Sequence, residues 1–280
     1  MAILVTGGNG QLGCSLRLAT AESIHRYIFT DIEALDITSA EAIATFFERE
    51  KVDVVVNCAA YTAVDLAEEN EAQADLINHK AVALLAAACK RYDATLVHIS
   101  TDYVFSGEAD TPYTEECAPA PINAYGRTKL AGERAVAESG CRNIVIRTSW
   151  LYSEYGKNFV KTMLSLMASR PEVRVVADQF GTPTYADDLA KAITYIIESN
   201  QLDKCGTYHY SNEGVCSWYD FACEIARLSG NNCTVTPCTT ADYPTKAQRP
   251  HYSVLDKSKF VATFGLPIPN WLDSLKKVIK

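Results

Sequence analysis

The stretch "AILVTGGNGQLG" (2–13) narrows the folds open to this chain more than any other. A short apolar strand runs straight into Gly7, Gly10 and Gly13, a G-x-x-G-x-x-G spacing, and residues 11–21 then read as a helix. Glycines between a strand and a helix allow a tight turn, let the backbone approach a pyrophosphate closely, and let the helix pack against the strand. The helix N-terminus then faces the phosphates. The plain alternative is a glycine-rich turn that holds nothing. The position directly after the first strand favours a dinucleotide cradle, with Gln11 and Leu12 inside it beside the three glycines.

The pattern beyond the cradle alternates strand and helix. Strands are expected at 27–31, 52–60, 94–101 and 143–152, with helices at 38–50, about 68–92 and 123–139 between them. Thr38 or Ser39, with Glu41 close behind, marks the start of the 38–50 helix. "VDVVVNCAA" (52–60) is a continuous apolar run, as for a strand buried on both faces. Strands separated by helices imply a parallel sheet with right-handed crossovers and helices on both faces, an α/β doubly wound, Rossmann-type sheet. After residue 152 the pattern loosens: a helix at 158–169, a strand at 173–178, a helix at 187–199, then short segments from 205 onward. The expected division is 1–152 as the dinucleotide-binding core and 153–280 as a small α/β region that completes the sheet and binds substrate.

Composition excludes several function classes. The formal net charge of −8 opposes nucleic-acid binding, which needs a basic face. "MAILVTGGNG" reaches glycine too soon for a signal peptide or a membrane span, so a cytoplasmic location and no membrane partner are expected. The ten cysteines include no C-x-x-C, and Cys58 and Cys89 lie in apolar runs, so reduced thiols are expected rather than disulfides. Neither the cysteines between 205 and 238 nor the five histidines show metal-ligand spacing, and His98, inside a strand, reads as a satisfied core histidine.

Candidate chemistry falls at strand ends. Asp31, at the end of the second strand, is placed to accept hydrogen bonds from adenosine ribose hydroxyls and to repel a 2′-phosphate; no Arg or Lys follows within a turn, which favours NADH and leaves NADPH open. Asp36 and Ile37 are assigned beside the adenine, and Ala59, Ala60 and Tyr61 beside the rest of the cofactor. The fourth strand ends in Ser100, Thr101 and Asp102, where a hydroxyl has reach of a substrate carbonyl or simply closes a turn. Tyr125 and Lys129, at i and i+4, share one face of the helix that follows. An ammonium beside a phenol lowers the phenol's pKa from about 10 toward working pH, and a tuned phenol donates a proton well to a developing alkoxide. Lys129 can also hold the nicotinamide ribose, while the cofactor carries the hydride. "SWYDFACEIARL" (217–228) has helical apolar spacing and reads as core.

Through "TGGNGQLG", "NCAAYT", "STDYVF" and "YGRTK" the chain resembles the extended short-chain dehydrogenase/reductases. More narrowly, through "NCAAYTAVDLAE", "HISTDYVFSG", "YGRTKLAGE", "RTSWLY", "DQFGTPTYADDLA" and "RPHYSVLD", it resembles the dTDP-4-dehydrorhamnose reductases over essentially its full length. That resemblance implies reduction of the 4-keto group of a dTDP-linked 4-keto-6-deoxy-L-hexose to give dTDP-L-rhamnose. It implies Tyr125 as proton donor, Lys129 as its partner, and Thr101 on the keto oxygen. It implies Asp102, Val104 and Trp150 around the deoxysugar, with Arg249 near the nucleotide, where a guanidinium suits a pyrophosphate. Some family members carry a glutamate two residues after the third glycine as part of a magnesium-bridged dimer; Ser15 stands there, so no metal is carried over and a homodimer is left open.

Two other readings use the same features. Nucleotide-sugar epimerases and dehydratases of the superfamily also use Tyr and Lys, and Asp102 leaves room for a dehydratase; the "QFGTPT" and "RPHYSVLD" stretches favour the reductase. A non-catalytic dinucleotide-binding regulatory subunit would not require the Thr101, Tyr125, Lys129 set. Fold alone does not decide among them.

Overall fold

The computed structural model describes residues 1–279 and opens with β1 (Ala2–Thr6), α1 (Gln11–Ala19), β2 (Arg26–Thr30), α2 (Ala40–Glu50) and β3 (Val54–Asn57). Helix comes next in pieces: α3 (Val64–Glu69), α4 (Glu71–Asp75), a π turn (Leu76–Lys80) and α5 (Ala81–Arg91). β4 (Thr95–Thr101) runs into a 3₁₀ turn (Asp102–Val104), followed by α6 (Ala124–Ser139) and β5 (Arg142–Thr148). The remainder holds β6 (Leu151–Tyr152), α7 (Phe159–Ser169), β7 (Glu172–Val176), β8 (Phe180–Gly181), β9 (Thr184–Tyr185) and α8 (Ala186–Glu198). Last come β10 (Gly206–His209), β11 (Cys216–Ser217), α9 (Trp218–Leu228), β12 (Thr234–Cys238), α10 (Ser258–Phe264) and α11 (Trp271–Val278).

Six strands pair in the order β10-β5-β4-β3-β1-β2, every pair parallel. The strand alternation buries both faces. Ile3, Val5, Val54, Val56, Val97, Ile144 and Ile146 pack with Leu12 and Leu16 of α1 and Leu189, Ile193 and Ile197 of α8. Leu4, Val55, Leu96 and Val145 point the other way, against Phe46 and Phe47 of α2, Leu85 and Cys89 of α5 and Val136 of α6. Each such Val, Leu, Ile or Phe contributes about 1.5–3 kcal/mol by leaving water. The expected doubly wound α/β sheet is the one observed. Strand order reverses between β1 and β3, and ligands bind in the crevice at the carboxyl ends beside such a reversal.

Three sequence expectations need adjustment. The 143–152 strand stops at Thr148, because Trp150 takes a left-handed backbone (φ 48°) and turns the chain before β6. The 68–92 helix starts earlier and is interrupted: Asn70 leaves the helical region (φ −127°, ψ 44°), and the π turn follows α4. Strand β7 stays out of the main sheet and pairs with β12, while β10 completes it beside β5. Of the two expected cap residues, Ser39 is the one that caps α2, its hydroxyl accepting from Ala42 N at 3.2 Å. A third apolar cluster, with Tyr152, Val160, Met163, Phe221, Ile225, Trp271 and Leu275, gives the C-terminal segments their own core. No helix among the described residues is long and apolar enough to cross a membrane.

Candidate active site

A cavity of about 610 Å³ opens at the carboxyl ends of β1, β4 and β5. Gly7, Gly10, Gln11, Leu12 and Gly13 line one end of it. Gly7 has φ +64°, and a Cβ there would lie 2.8 Å from Ala59 N; a Cβ on Gly13 would lie 2.4 Å from Gly7 O. Both positions therefore require glycine if the turn and helix are to close up. α1 begins at Gly10 with no side-chain cap and no acidic residue in its first turn, so its free N–H groups suit an anion such as a pyrophosphate. The cradle fits a dinucleotide.

The outer cofactor assignments divide. Asp31 sits just past β2 beside the loop, its carboxylate accepting from Asn9 N at 3.2 Å and Ile32 N at 3.0 Å. Ala60 lines the cavity, and Ala59 lies against Gly7. Tyr61 is clamped by Asn78, which accepts from its N–H at 2.8 Å and donates to its carbonyl at 3.1 Å. Asp31, Asp36, Ile37, Ala59 and Tyr61 are not among the lining residues. Asp36 is exposed and accepts from Thr38 N at 2.8 Å and Thr38 Oγ1 at 2.6 Å, while Ile37 is buried in the core that α2 covers. The loop turns Ile37 inward because α2 needs an apolar residue there.

Thr101, Tyr125 and Lys129 all line the same cavity. Asn123 caps α6, its Oδ1 accepting from Gly126 N at 2.8 Å, which places Tyr125 in the first turn and Lys129 one turn on. Lys129 is 1 % exposed and its Nζ donates to Ile99 O at 2.6 Å. Burial brings Lys129 down to about 8, with Glu133 acting against the shift. Burial pushes the Tyr125 phenol up to about 12, and a hydrogen bond with Thr101 only moderates this. The expected lowering of the phenol by Lys129 is therefore absent: the ammonium is turned to the Ile99 carbonyl, and loss of water dominates. A phenol that keeps its proton at neutral pH is still the form a proton donor needs.

A buried polar network fixes α6 from below. Arg147 of β5 grips Glu133 of α6, Nε to Oε1 at 3.0 Å and Nη2 to Oε2 at 2.7 Å, with both side chains about 6–7 % exposed. The Ser100 hydroxyl donates to Glu133 as well. Arg147 Nη1 lies 3.4 Å from His209 Nε2, and His209 Nδ1 lies 3.0 Å from Tyr113 O. Burial first, and Arg147 second, hold His209 neutral at about 3, so its Nδ1–H donates to the Tyr113 carbonyl and its Nε2 accepts from the arginine. β4, β5, β10 and α6 are thereby tied together beneath the cavity.

At the other end of the cavity, Asp102 and Trp150 are lining residues, while Val104 and Arg249 are not. Val104 is buried with Phe105, Tyr113, Leu130 and Leu255, because the 3₁₀ turn rotates it away from its neighbour Asp102. Arg249 is held by Asp65 of α3, Nη1 to Oδ1 at 3.0 Å and Nη2 to Oδ2 at 2.8 Å. Lys157 lines the cavity next to Gly156, which faces Gln11 of the cradle. Trp150 stacks on Trp218 with ring centroids 3.5 Å apart and planes at 8°. It also packs on Gly181, where a Cβ would come within 2.6 Å of its indole.

The RmlD substrate binding domain family model matches residues 1–280. The chain belongs to this family. A dTDP-4-dehydrorhamnose reductase from Aggregatibacter actinomycetemcomitans is 40 % identical over 286 residues, covering 99 % of this chain and 97 % of the relative. Among solved structures, a dTDP-4-dehydrorhamnose reductase from Clostridium acetobutylicum superposes with TM-score 0.96 at 46 % identity, covering 100 % of this chain and 98 % of the other. The Bacillus anthracis dTDP-4-dehydrorhamnose reductase in complex with NADP gives 0.95 at 39 % identity, covering 99 % and 98 %.

In this RmlD-family chain Trp218 lines the cavity, although the apolar spacing of 217–228 predicts core. It is the first residue of α9, fixed there by the Ser217–Asp220 capping box, and β11 delivers it to the cavity wall. The S-x-x-D pattern "SWYD" was the available signal for a helix start at that point. Cys58 and Ser149, each one residue past a strand, also line the cavity, as does Lys157 in the loop before α7. Ser15 is buried in α1, its hydroxyl without a partner.

Proposed function

We propose that this protein is an NAD(P)H-dependent dTDP-4-dehydrorhamnose reductase, reducing the 4-keto group of a dTDP-linked 4-keto-6-deoxy-L-hexose in dTDP-L-rhamnose biosynthesis. The observation that carries the reading is the meeting of Thr101, Tyr125 and Lys129 with the glycine cradle in one cavity. A reduced nicotinamide cofactor supplies the hydride when bound. Gly7, Gly10, Gln11, Leu12 and Gly13 would hold its phosphates, and Lys129, deep beside Ile99, its nicotinamide ribose. Thr101 orients the keto oxygen. Tyr125 Oη would give its proton to the carbonyl oxygen as negative charge develops there. The phenolate is then reprotonated from solvent through the cavity mouth.

Trp150 and Trp218 together form the aromatic wall for the deoxysugar. Lys157 is a cation in the cavity lining open to a pyrophosphate, whereas Arg249 is engaged with Asp65. Residues 1–152 supply the cofactor site and most of the cavity lining, to which 153–280 add Gly156, Lys157 and Trp218. Ten free thiols suit a reducing cytoplasm. Oxidation of NADH or NADPH in step with formation of dTDP-L-rhamnose tests the reading.

Asp31 governs the choice between the two cofactors. Asp31→Ala is expected to weaken NADH more than NADPH, because a ribose acceptor is lost and a charge that repels the 2′-phosphate is removed. Titration of each cofactor against both proteins checks this; equal weakening of the two contradicts the ribose assignment.

A further inference from the structure

We propose that Asp102 acts as a positioning residue that sets the direction of the Thr101 hydroxyl, and so decides whether its hydrogen is offered to the substrate's keto oxygen or withheld. The catalytic half of this rests on the reductase reading above; the hydroxyl's direction does not.

Thr101 has one hydroxyl hydrogen. In the structure Thr101 Oγ1 lies 2.9 Å from Asp102 Oδ1, and it also accepts from Tyr103 N at 3.2 Å. An ionised carboxylate only accepts, so facing one the threonine must spend its hydrogen on Asp102. Its oxygen then turns only lone pairs to the Tyr125 phenol and the cavity, and a keto oxygen brought against them is repelled. A protonated Asp102 reverses the chain: the carboxyl donates to Thr101 Oγ1, and the threonine's hydrogen turns to the cavity beside the Tyr125 phenol. Both donors then converge on the oxygen that gains charge, the arrangement that stabilises an oxyanion.

The site shifts Asp102 toward the protonated form. Asp102 is 2 % exposed, and its Oδ2 is buried with no hydrogen-bond partner. A bare carboxylate oxygen in a dry site is costly, and a neutral carboxyl much less so. Burial raises Asp102 to about 6, against the lowering effect of Ser253 and Thr101. The groups facing it are Thr101 and Tyr103 from its own segment, Tyr125 from α6, and Ser253 from the stretch before α10. Beyond Tyr103 stand Arg249 and Asp65, whose opposite charges are paired with each other. Substrate that displaces more water from the cavity drives Asp102 further toward the protonated form. The sign follows: turnover is supported below the Asp102 ionisation and falls as pH rises through it. Tyr125 stays protonated across this range, and Lys129, at about 8, titrates higher.

Two readouts test this. Infrared titration of the cofactor-free protein, with Asp102→Asn as the subtraction, isolates the Asp102 carboxyl. The expected result is an ionisation above the ordinary aspartate range that moves higher still in Thr101→Val, which lacks the hydroxyl that stabilises the carboxylate. The pH profile of kcat for the 4-keto sugar nucleotide is the second. Wild type should lose about tenfold per pH unit beyond the ionisation. Asp102→Asn, whose amide N–H donates to Thr101, and Asp102→Ala, which leaves the threonine's hydrogen free, should both lack that fall. An Asp102 ionisation indifferent to Thr101→Val, or a wild-type fall retained in both Asp102 variants, overturns the proposal. Absence of turnover in every protein at every pH would instead remove the reductase reading, while the infrared titration still decides the hydroxyl's direction.

Discussion

Tyr125→Phe should leave the fold intact and lower turnover by at least about 10²-fold, the loss of a general acid. The substitution removes one oxygen and keeps the ring, which packs edge-on against Tyr103 with centroids 5.7 Å apart. The cradle and Lys129 are untouched, so cofactor affinity should change little and the loss should fall on kcat. Burial keeps the phenol protonated to about 12, so at neutral pH every molecule of wild type carries the proton to be donated. No neighbouring acid stands ready to replace it: Lys129 is committed to the Ile99 carbonyl, and the Asp102 carboxyl faces Thr101. Steady-state rates with saturating cofactor measure the effect; near-normal turnover removes the phenol from the proton-donating role.

Arg147→Leu should destabilise the protein by about 3–5 kcal/mol, because it leaves Glu133 buried without its partner. The pair is bidentate and almost wholly enclosed, so water cannot replace the guanidinium. Ser100 alone remains to satisfy the carboxylate. Denaturant unfolding checks the magnitude. The double variant Glu133→Leu with Arg147→Leu should recover much of the loss, since a buried pair replaced on both sides by apolar groups can be nearly neutral. A single variant as stable as wild type would mean that the pair carries no net burden in holding α6 against β5. Because α6 carries Tyr125 and Lys129, the double variant also separates stability from alignment: full stability with reduced turnover would assign the network to positioning the helix.

The parts legible in the sequence are those dictated by backbone chemistry close in the chain. The cradle could be read because Gly7 and Gly13 answer to contacts a few residues away and to one neighbouring strand. The sheet could be read because β1, β3 and β4 are buried on both faces and so lose the alternation of a half-wet strand. Tyr125 and Lys129 could be paired because a helix makes i and i+4 neighbours. What escaped was set by distant contacts. Trp150 turns the chain through a left-handed residue whose side chain rests on Gly181 and Trp218, both far along the sequence. Val104 and Asp102 are two residues apart, yet the 3₁₀ turn sends one to the core and the other to the cavity. The phenol's pKa depended on burial and on where Lys129 points, neither of which spacing encodes.

The most direct test of the account is to follow NADH and NADPH oxidation by absorbance with the dTDP-linked 4-keto-6-deoxy-L-hexose made in situ, and to identify the sugar product. The account predicts oxidation in one-to-one step with dTDP-L-rhamnose. Tight dinucleotide binding without net oxidation of either cofactor would contradict it, and would leave Thr101, Tyr125 and Lys129 serving an epimerase, a dehydratase or a non-catalytic dinucleotide site.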